Sequence, residues 1–401
     1  MSSSARGQRE NNMEEMQISL TDKDSHTLKR KPGQGSFSFG PKHLKSQYKF
    51  DALVDEGESI NWDCFKGLYT SHGSDNKDIW PNGNWPRWFN YIGNDTGFGF
   101  WSTKRKIEYF TWHPLKNTTS DFTKSHIKQF TIILSDHLIK LKIGAHTNRL
   151  ILQGNIENIK LDDTNGLMEV LFNPITSKDV NDHYVLPNFP VMEQVSNLNV
   201  TVTPLGQALD CKSLLQFKNL KHLRLSGNIT NLAVLKEFQN LESLMLLYVP
   251  TLKGLPPLNS WNNLNHVIVS NIEEVSGKIL RKELKQLLQE RDMGSSSVTK
   301  LRKPIWFIEN YGIPFSDWNK SKAKEAVKAY KYAFKELKTV VDEKTVRALI
   351  IAFTEIFNGL PDIDTVERDD IALAVEQLIR VPNIEIDFEK AMQWFDDHRD
   401  Y

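Results

Sequence analysis

Cysteine is nearly missing from this chain: only Cys64 and Cys211 occur in 401 residues. Two thiols so far apart build neither a disulfide framework nor a four-thiolate zinc site, and a reducing compartment is the natural expectation. An excess of either charge is also lacking, since Lys plus Arg and Asp plus Glu each total 50. A global field for polyanions is thereby excluded, and only local patches remain. No stretch approaches the roughly 20 apolar residues that cross a bilayer. The opening Met1-Ser-Ser-Ser-Ala-Arg6 carries no apolar core of a signal peptide. A soluble, cytoplasmic protein with no membrane association is expected.

Catalytic signatures are missing too. The sequence contains no H-E-x-x-H, no G-x-S-x-G, no phosphate-cradling glycine loop and no dinucleotide fingerprint. His72, His113 and His183 stand alone, and Gly97-Phe98-Gly99-Phe100-Trp101 lacks a third glycine. Cys64 lies beside Asp63, which disfavours a thiolate. The acidic run Asp362, Asp364, Glu367, Asp369, Asp370 fails as a calcium loop: Glu367 stands where glycine is needed and Leu373 where a bidentate acid is needed. Helix-start electrostatics account for these charges better. No catalytic residue, cofactor or metal site is therefore assigned.

What is present divides the chain. Residues 1–45 are polar and read as a disordered tail. Residues 46–128 hold six of the ten tryptophans, Trp62, Trp80, Trp85, Trp88, Trp101 and Trp112, and read as a compact Trp-rich module whose rings form either a core or a stacking platform. A short helix is expected near 62–69 and a turn-rich loop over Trp80–Trp88. From 130 to 172 short apolar-x-apolar triplets recur every nine residues, at Ile132, Leu141, Leu150, Ile159 and Met168. Brief strands in a β-meander or a β-solenoid fit this rhythm, with the solenoid preferred.

Longer repeats follow. Phe217-Lys-Asn-Leu220, Phe238-Gln-Asn-Leu241 and Trp261-Asn-Asn-Leu264 each open an apolar run, and Leu223, Leu244 and Val267 fall at corresponding positions. Leu220-Lys-His-Leu223-Arg-Leu225-Ser-Gly-Asn228 resembles the consensus of the leucine-rich repeat family, and irregular copies span about residues 195–275. The resemblance implies a repeat scaffold whose usual task is protein binding. After it, Ile279, Leu280, Leu284, Leu287 and Leu288 predict a capping helix, and Met293–Val298 a flexible linker. Four amphipathic helices are predicted over about 321–340, 343–358, 365–379 and from 387 onward.

The expected fold is therefore α+β and multi-domain. A leucine-rich-repeat-like or β-solenoid centre (129–295) is flanked by the Trp-rich module (46–128) and an antiparallel helical domain (296–401). The expected function is non-enzymatic protein binding, in a bacterial interaction or toxin-neutralising role. The alternative is a carbohydrate- or nucleotide-processing enzyme using the Trp-rich segment. Strand alternation places His222, Arg224, Met245, Leu247, His266 and Ile268 on the solvent side, where exposed apolar residues mark a partner-binding face. A protein partner is expected; nucleic acid and membrane are not, and no small-molecule ligand is specified.

Overall fold

The computed structural model describes residues 14–30, 34–65, 86–164, 166–177, 182–311, 313–382 and 384–401. His72, Trp80, Trp85 and the second half of the helix expected near 62–69 lie outside the described residues. The chain divides into two compact units, Met1–Lys42 with Phe50–Pro304, and His43–Lys49 with Ile305–Tyr401.

The first unit begins with an antiparallel hairpin of β1 (Glu14–Ile18) and β2 (His26–Arg30). Of the tail expected to be disordered over 1–45, residues 1–13 and 31–33 lie outside the described residues; for the rest the expectation is corrected, because Ile18, Leu20 and Leu28 are buried in the unit's core. Along the chain follow β3 (Ser36–Gly40), β4 (Ala52–Leu53), β5 (Trp88–Ile92), β6 (Ile107–His113), β7 (Thr118–Phe122), β8 (Ile127–Leu134) and β9 (Ile139–Ile143). Next come β10 (Arg149–Gly154), β11 (Ile159–Thr164), β12 (Glu169–Pro174), β13 (His183–Tyr184), β14 (Asn197–Thr201), β15 (Ala208–Asp210) and β16 (His222–Ser226). The last are β17 (Ile229–Thr230), β18 (Ser243–Leu247), β19 (His266–Glu273) and β20 (Ser297–Arg302).

Twelve of these strands form one sheet in the order β20-β19-β18-β16-β14-β12-β10-β8-β6-β5-β3-β4. Every pairing within it is parallel. Two columns of inward side chains run across it in register. One reads Phe37, Phe89, Phe110, Phe130, Leu150, Val170, Leu198, Leu223, Leu244, Val267. The other passes through Phe39, Tyr91, Trp112, Ile132, Leu152, Phe172, Val200, Leu225, Leu246 and Val269. All of these residues are buried. Alternate residues of a strand point to opposite faces, so each strand contributes two inward residues and leaves its neighbours outward.

The expected fold class is thereby corrected. The centre is not a leucine-rich-repeat-like β-solenoid confined to 129–295 beside a separate Trp-rich module, but an open α/β arrangement built on one twelve-stranded parallel sheet. The Trp-rich segment supplies β5 and β6 to that sheet. The nine-residue rhythm reflects strands entering different sheets: β8, β10 and β12 join the long one, while β9 and β11 join β7 in a three-stranded sheet. β13, β15 and β17 form a second three-stranded sheet. These short strands stay in two separate groups, so no continuous second wall closes the coils.

Among the described tryptophans of this segment, Trp62, Trp101 and Trp112 act as filling. Trp62 is buried, and its ring centroid lies 5.6 Å from those of Phe39, Tyr91 and Phe98 and 5.8 Å from that of Phe110. Its indole N–H donates to Asp95 Oδ1 at 2.8 Å, which satisfies the polar end of an otherwise apolar neighbourhood. Trp101, in the short helix α1 (Gly97–Trp101), and Trp112 are buried as well. Where β16 ends, Gly227 has φ +105°, and a Cβ there would lie 1.8 Å from the Val202 carbonyl oxygen. Only glycine fits that turn. Helix α2 (Glu274–Glu290) buries Leu280, Leu284 and Leu287 in the same core. The linker predicted over 293–298 instead leads into β20, which pairs with β19.

The second unit is helical. After α3 (Pro304–Asn310) come α4 (Lys320–Leu337), α5 (Glu343–Asn358), α6 (Thr365–Ile379) and α7 (Phe388–His398) around a core of Phe315, Tyr330, Phe353, Phe357, Leu378 and Phe395. The acidic run caps and ties α6. Asp364 Oδ1 accepts from the Glu367 N–H at 2.8 Å, while Glu367 Oε2 accepts from the Asp364 N–H and from Lys322 Nζ. Asp370 accepts from the Trp318 indole. Among the described residues no helix is long and apolar enough to cross a membrane.

Candidate functional site

The outward residues of the long sheet form ladders beside the buried columns. His222 stands in register with Ser243 and His266, and Arg224 with Met245 and Ile268. Leu247 lies between Ser226 and Ser270 in a third row. The six residues assigned to a partner-binding face thus share one surface. His222 and Arg224 are exposed; Met245, Leu247, His266 and Ile268 are half-buried by their ladder neighbours.

The ladders continue past the segment that sequence reasoning singled out. One runs through Gln129, Arg149, Glu169 and Asn197 to His222; the next passes through Thr131, Ile151, Leu171 and Asn199 to Arg224. A signal for them was present, because each stands one residue before or after a member of the buried column. At the far end Trp88 and Tyr109 occupy the first ladder, both exposed, with ring centroids 5.8 Å apart.

The middle of this face is a shallow cleft of about 320 Å³ with Arg149, Glu169, Asn197, Asn199, His222 and Arg224 on its lining. Arg149 is committed internally: its Nη2 lies 2.8 Å from Glu169 Oε1, and its Nη1 donates to Gln129 Oε1 at 3.3 Å. Arg224 forms no ion pair with any described residue. The Oδ1 atoms of Asn197 and Asn199 are shielded from solvent and accept no hydrogen bond from the described residues. An unmet buried acceptor costs about 1–3 kcal/mol, so two side by side are an unusual load on one strand. Flanking this polar centre are apolar residues, Ile151 and Leu171 on one side and Met245 and Ile268 on the other. The chemistry on offer is hydrogen bonding, one uncommitted cation and apolar contact.

A second cavity of about 640 Å³ is lined by Phe100, Asp121, Lys124, His126 and His146 among others. Phe100 is 71 % exposed there, and the two imidazole centroids are 3.8 Å apart. Burial and the neighbouring His146 push the His126 pKa down. The buried Trp62, Trp101 and Trp112 do not line this space. Both thiols are protonated over the ordinary range, since burial and then the adjacent Asp63 or Asp210 push Cys64 and Cys211 up to about 12. Among the described residues, no three His, Cys, Asp or Glu side chains are grouped to hold a metal ion.

Comparisons with family models, with curated proteins and with solved structures return no match for this chain.

Proposed function

We propose that this chain is a recognition scaffold that binds a protein partner on the outward face of its long sheet. The observation that carries this reading is the in-register row Ile151, Leu171, Asn199, Arg224, Met245, Ile268. It sets apolar contact on both sides of a polar centre with uncommitted hydrogen-bonding groups. Protein interfaces combine apolar anchors with polar groups in this way, and a shallow strand face suits an extended contact better than it suits an enclosed reaction. The fixed spacing of a parallel sheet holds these side chains before the partner arrives, which lowers the ordering cost of binding.

The test is affinity capture from lysate of the source cells with the wild type and with Met245→Asp/Ile268→Asp, after circular dichroism has shown both to be folded. Partners retained by the wild type and lost by the variant support the reading. The same partners on both proteins refute it.

A further inference from the structure

The second cavity gathers one sign of charge. Arg149 of β10 is in register with Gln129 of β8, and the Asn148 N–H donates to the Lys128 carbonyl at 2.9 Å, so the ladder reaches back toward His146 and His126, each three residues earlier. The two imidazoles meet there with centroids 3.8 Å apart, and both line the cavity. Lys106, just before the paired Ile107 and Ile127, extends the row on the far side of His126. Lys124 adds a fourth basic group from the turn between β7 and β8. Against these the cavity has one acid, Asp121, which is already committed. Its Oδ1 accepts from the Thr123 amide and hydroxyl, and its Oδ2 lies 4.0 Å from Lys142 Nζ. The other nearby carboxylate, Asp63, pairs with Lys104 at 3.5 Å. Lys106 and Lys124 are thus left without a carboxylate partner among the described residues.

Groups of one sign in a row repel one another once protonated, and a bound anion removes that repulsion. Desolvation, then the charges of His146 and Lys106, already hold the His126 proton off in the empty cavity. No third donor joins the imidazoles among the described residues, so an anion suits them better than a metal ion does. Phe100 supplies the apolar part of the lining. Its ring is 71 % exposed, with Lys104 Nζ 5.3 Å from the centroid. A space of about 640 Å³ matches a small molecule rather than a chain.

We propose that this cavity binds a small phosphate monoester carrying an aromatic ring, of the nucleoside monophosphate class, with the phosphate against His126, His146 and Lys124 and the ring against Phe100. A monoester dianion brings acceptor oxygens for the imidazole and ammonium donors, and carries more charge than a diester. The site shares no lining residue with the cleft on the strand face and does not depend on the recognition reading. Binding draws protons onto the imidazoles, so affinity for an anion of constant charge rises as the pH falls.

Isothermal titration calorimetry of the full chain with adenosine 5′-monophosphate (AMP), ribose 5-phosphate and adenosine tests this. AMP should bind tightest, with both fragments about tenfold or more weaker. Lys124→Glu and His126→Gln/His146→Gln should each weaken AMP about tenfold, whereas Phe100→Ala should weaken AMP and leave ribose 5-phosphate unchanged. Sulfate, dianionic at both pH 7.5 and pH 6.0, should bind several-fold tighter at the lower pH in the wild type and equally at both in the His pair variant. Lys124 and Phe100 are exposed, so their variants keep the test open if the His pair variant fails to fold. No heat with millimolar AMP, adenosine or ribose 5-phosphate binding as tightly as AMP, or AMP affinity unchanged in Lys124→Glu would overturn the inference. Tighter binding of an oligonucleotide without a terminal phosphate would overturn it too, in favour of a diester strand.

Discussion

Leu223 of β16 and Leu244 of β18 face each other across the parallel ladder, both almost fully buried, and Val267 continues the column on the other side of Leu244. A residue held between two such neighbours cannot be shortened without leaving a hole. Leu244→Ala should cost about 2–5 kcal/mol in urea unfolding of the first unit. An unchanged midpoint would show that the column is not packed as described.

The turn after β16 depends on Gly227. With φ at +105° and the Val202 carbonyl oxygen in the way of a Cβ, Gly227→Ala should lower stability by more than the ~1 kcal/mol typical of an exposed helix glycine. Thermal melting of the variant checks this, and a melting temperature within error of the wild type would refute it.

Acid should weaken the fold in two stages. His113 titrates low because it is partly withdrawn from water and faces His137; His126 titrates low because it is partly withdrawn from water and faces His146 and Lys106. An unfolded imidazole takes up its proton near pH 6.5 and these two do so only at lower pH, so the unfolded state binds more protons in that window. The contribution of these two groups is complete above about pH 6.5 and falls as the pH drops through it. Asp121, held low by the Thr123 hydroxyl and amide, and Glu242, held low by Lys221, lose their contributions only further down, below the ordinary carboxylate range. Melts at pH 7.5 and 5.5 should show a drop that shrinks in His113→Gln/His126→Gln. An identical drop in that variant would contradict the assignment.

The two cysteines should be silent in the native protein. Thiols with pKa values raised to about 12 carry almost no thiolate at pH 8, and disulfide reagents react with the thiolate. Ellman's reagent should release little colour before denaturation and two equivalents after it. Rapid native labelling of Cys64 would contradict its raised pKa.

In the helical unit, Asp364→Ala removes the acceptor of the Glu367 N–H and opens the reciprocal cap of α6. A loss of about 0.5–2 kcal/mol is expected in denaturant unfolding. No loss would mean that Lys322 alone secures Glu367.

The helices were the most legible part because their information is local. Asp364 with Glu367, and the apolar spacing of Ala326, Ala329, Tyr330 and Ala333, declare themselves within a few residues, and the observed ends of α5 and α6 match the predicted ones. The long sheet was legible only where its columns are aliphatic. Leu223 and Leu244 read as repeats; Phe37, Phe89, Phe110 and Phe130 fill the same column with aromatic rings, and the sequence spreads them over an expected tail, a Trp-rich module and the start of the centre. The hairpin of β1 and β2 was hidden by its polar composition, since Ile18, Leu20 and Leu28 suffice only with a core already beside them. On the candidate face, strand alternation exposed the positions of Met245 and Ile268. The unmet acceptors of Asn197 and Asn199 depend on how neighbouring strands shield them, which no spacing encodes.

The most direct test of the account is hydroxyl-radical footprinting of the purified chain against the same chain in lysate of its source cells, read by mass spectrometry at Met245. Met245 oxidation should fall several-fold in lysate while exposed residues off this face, such as Tyr332, are oxidised as before. Equal oxidation of Met245 in both samples, with protection appearing elsewhere on the chain, would contradict it.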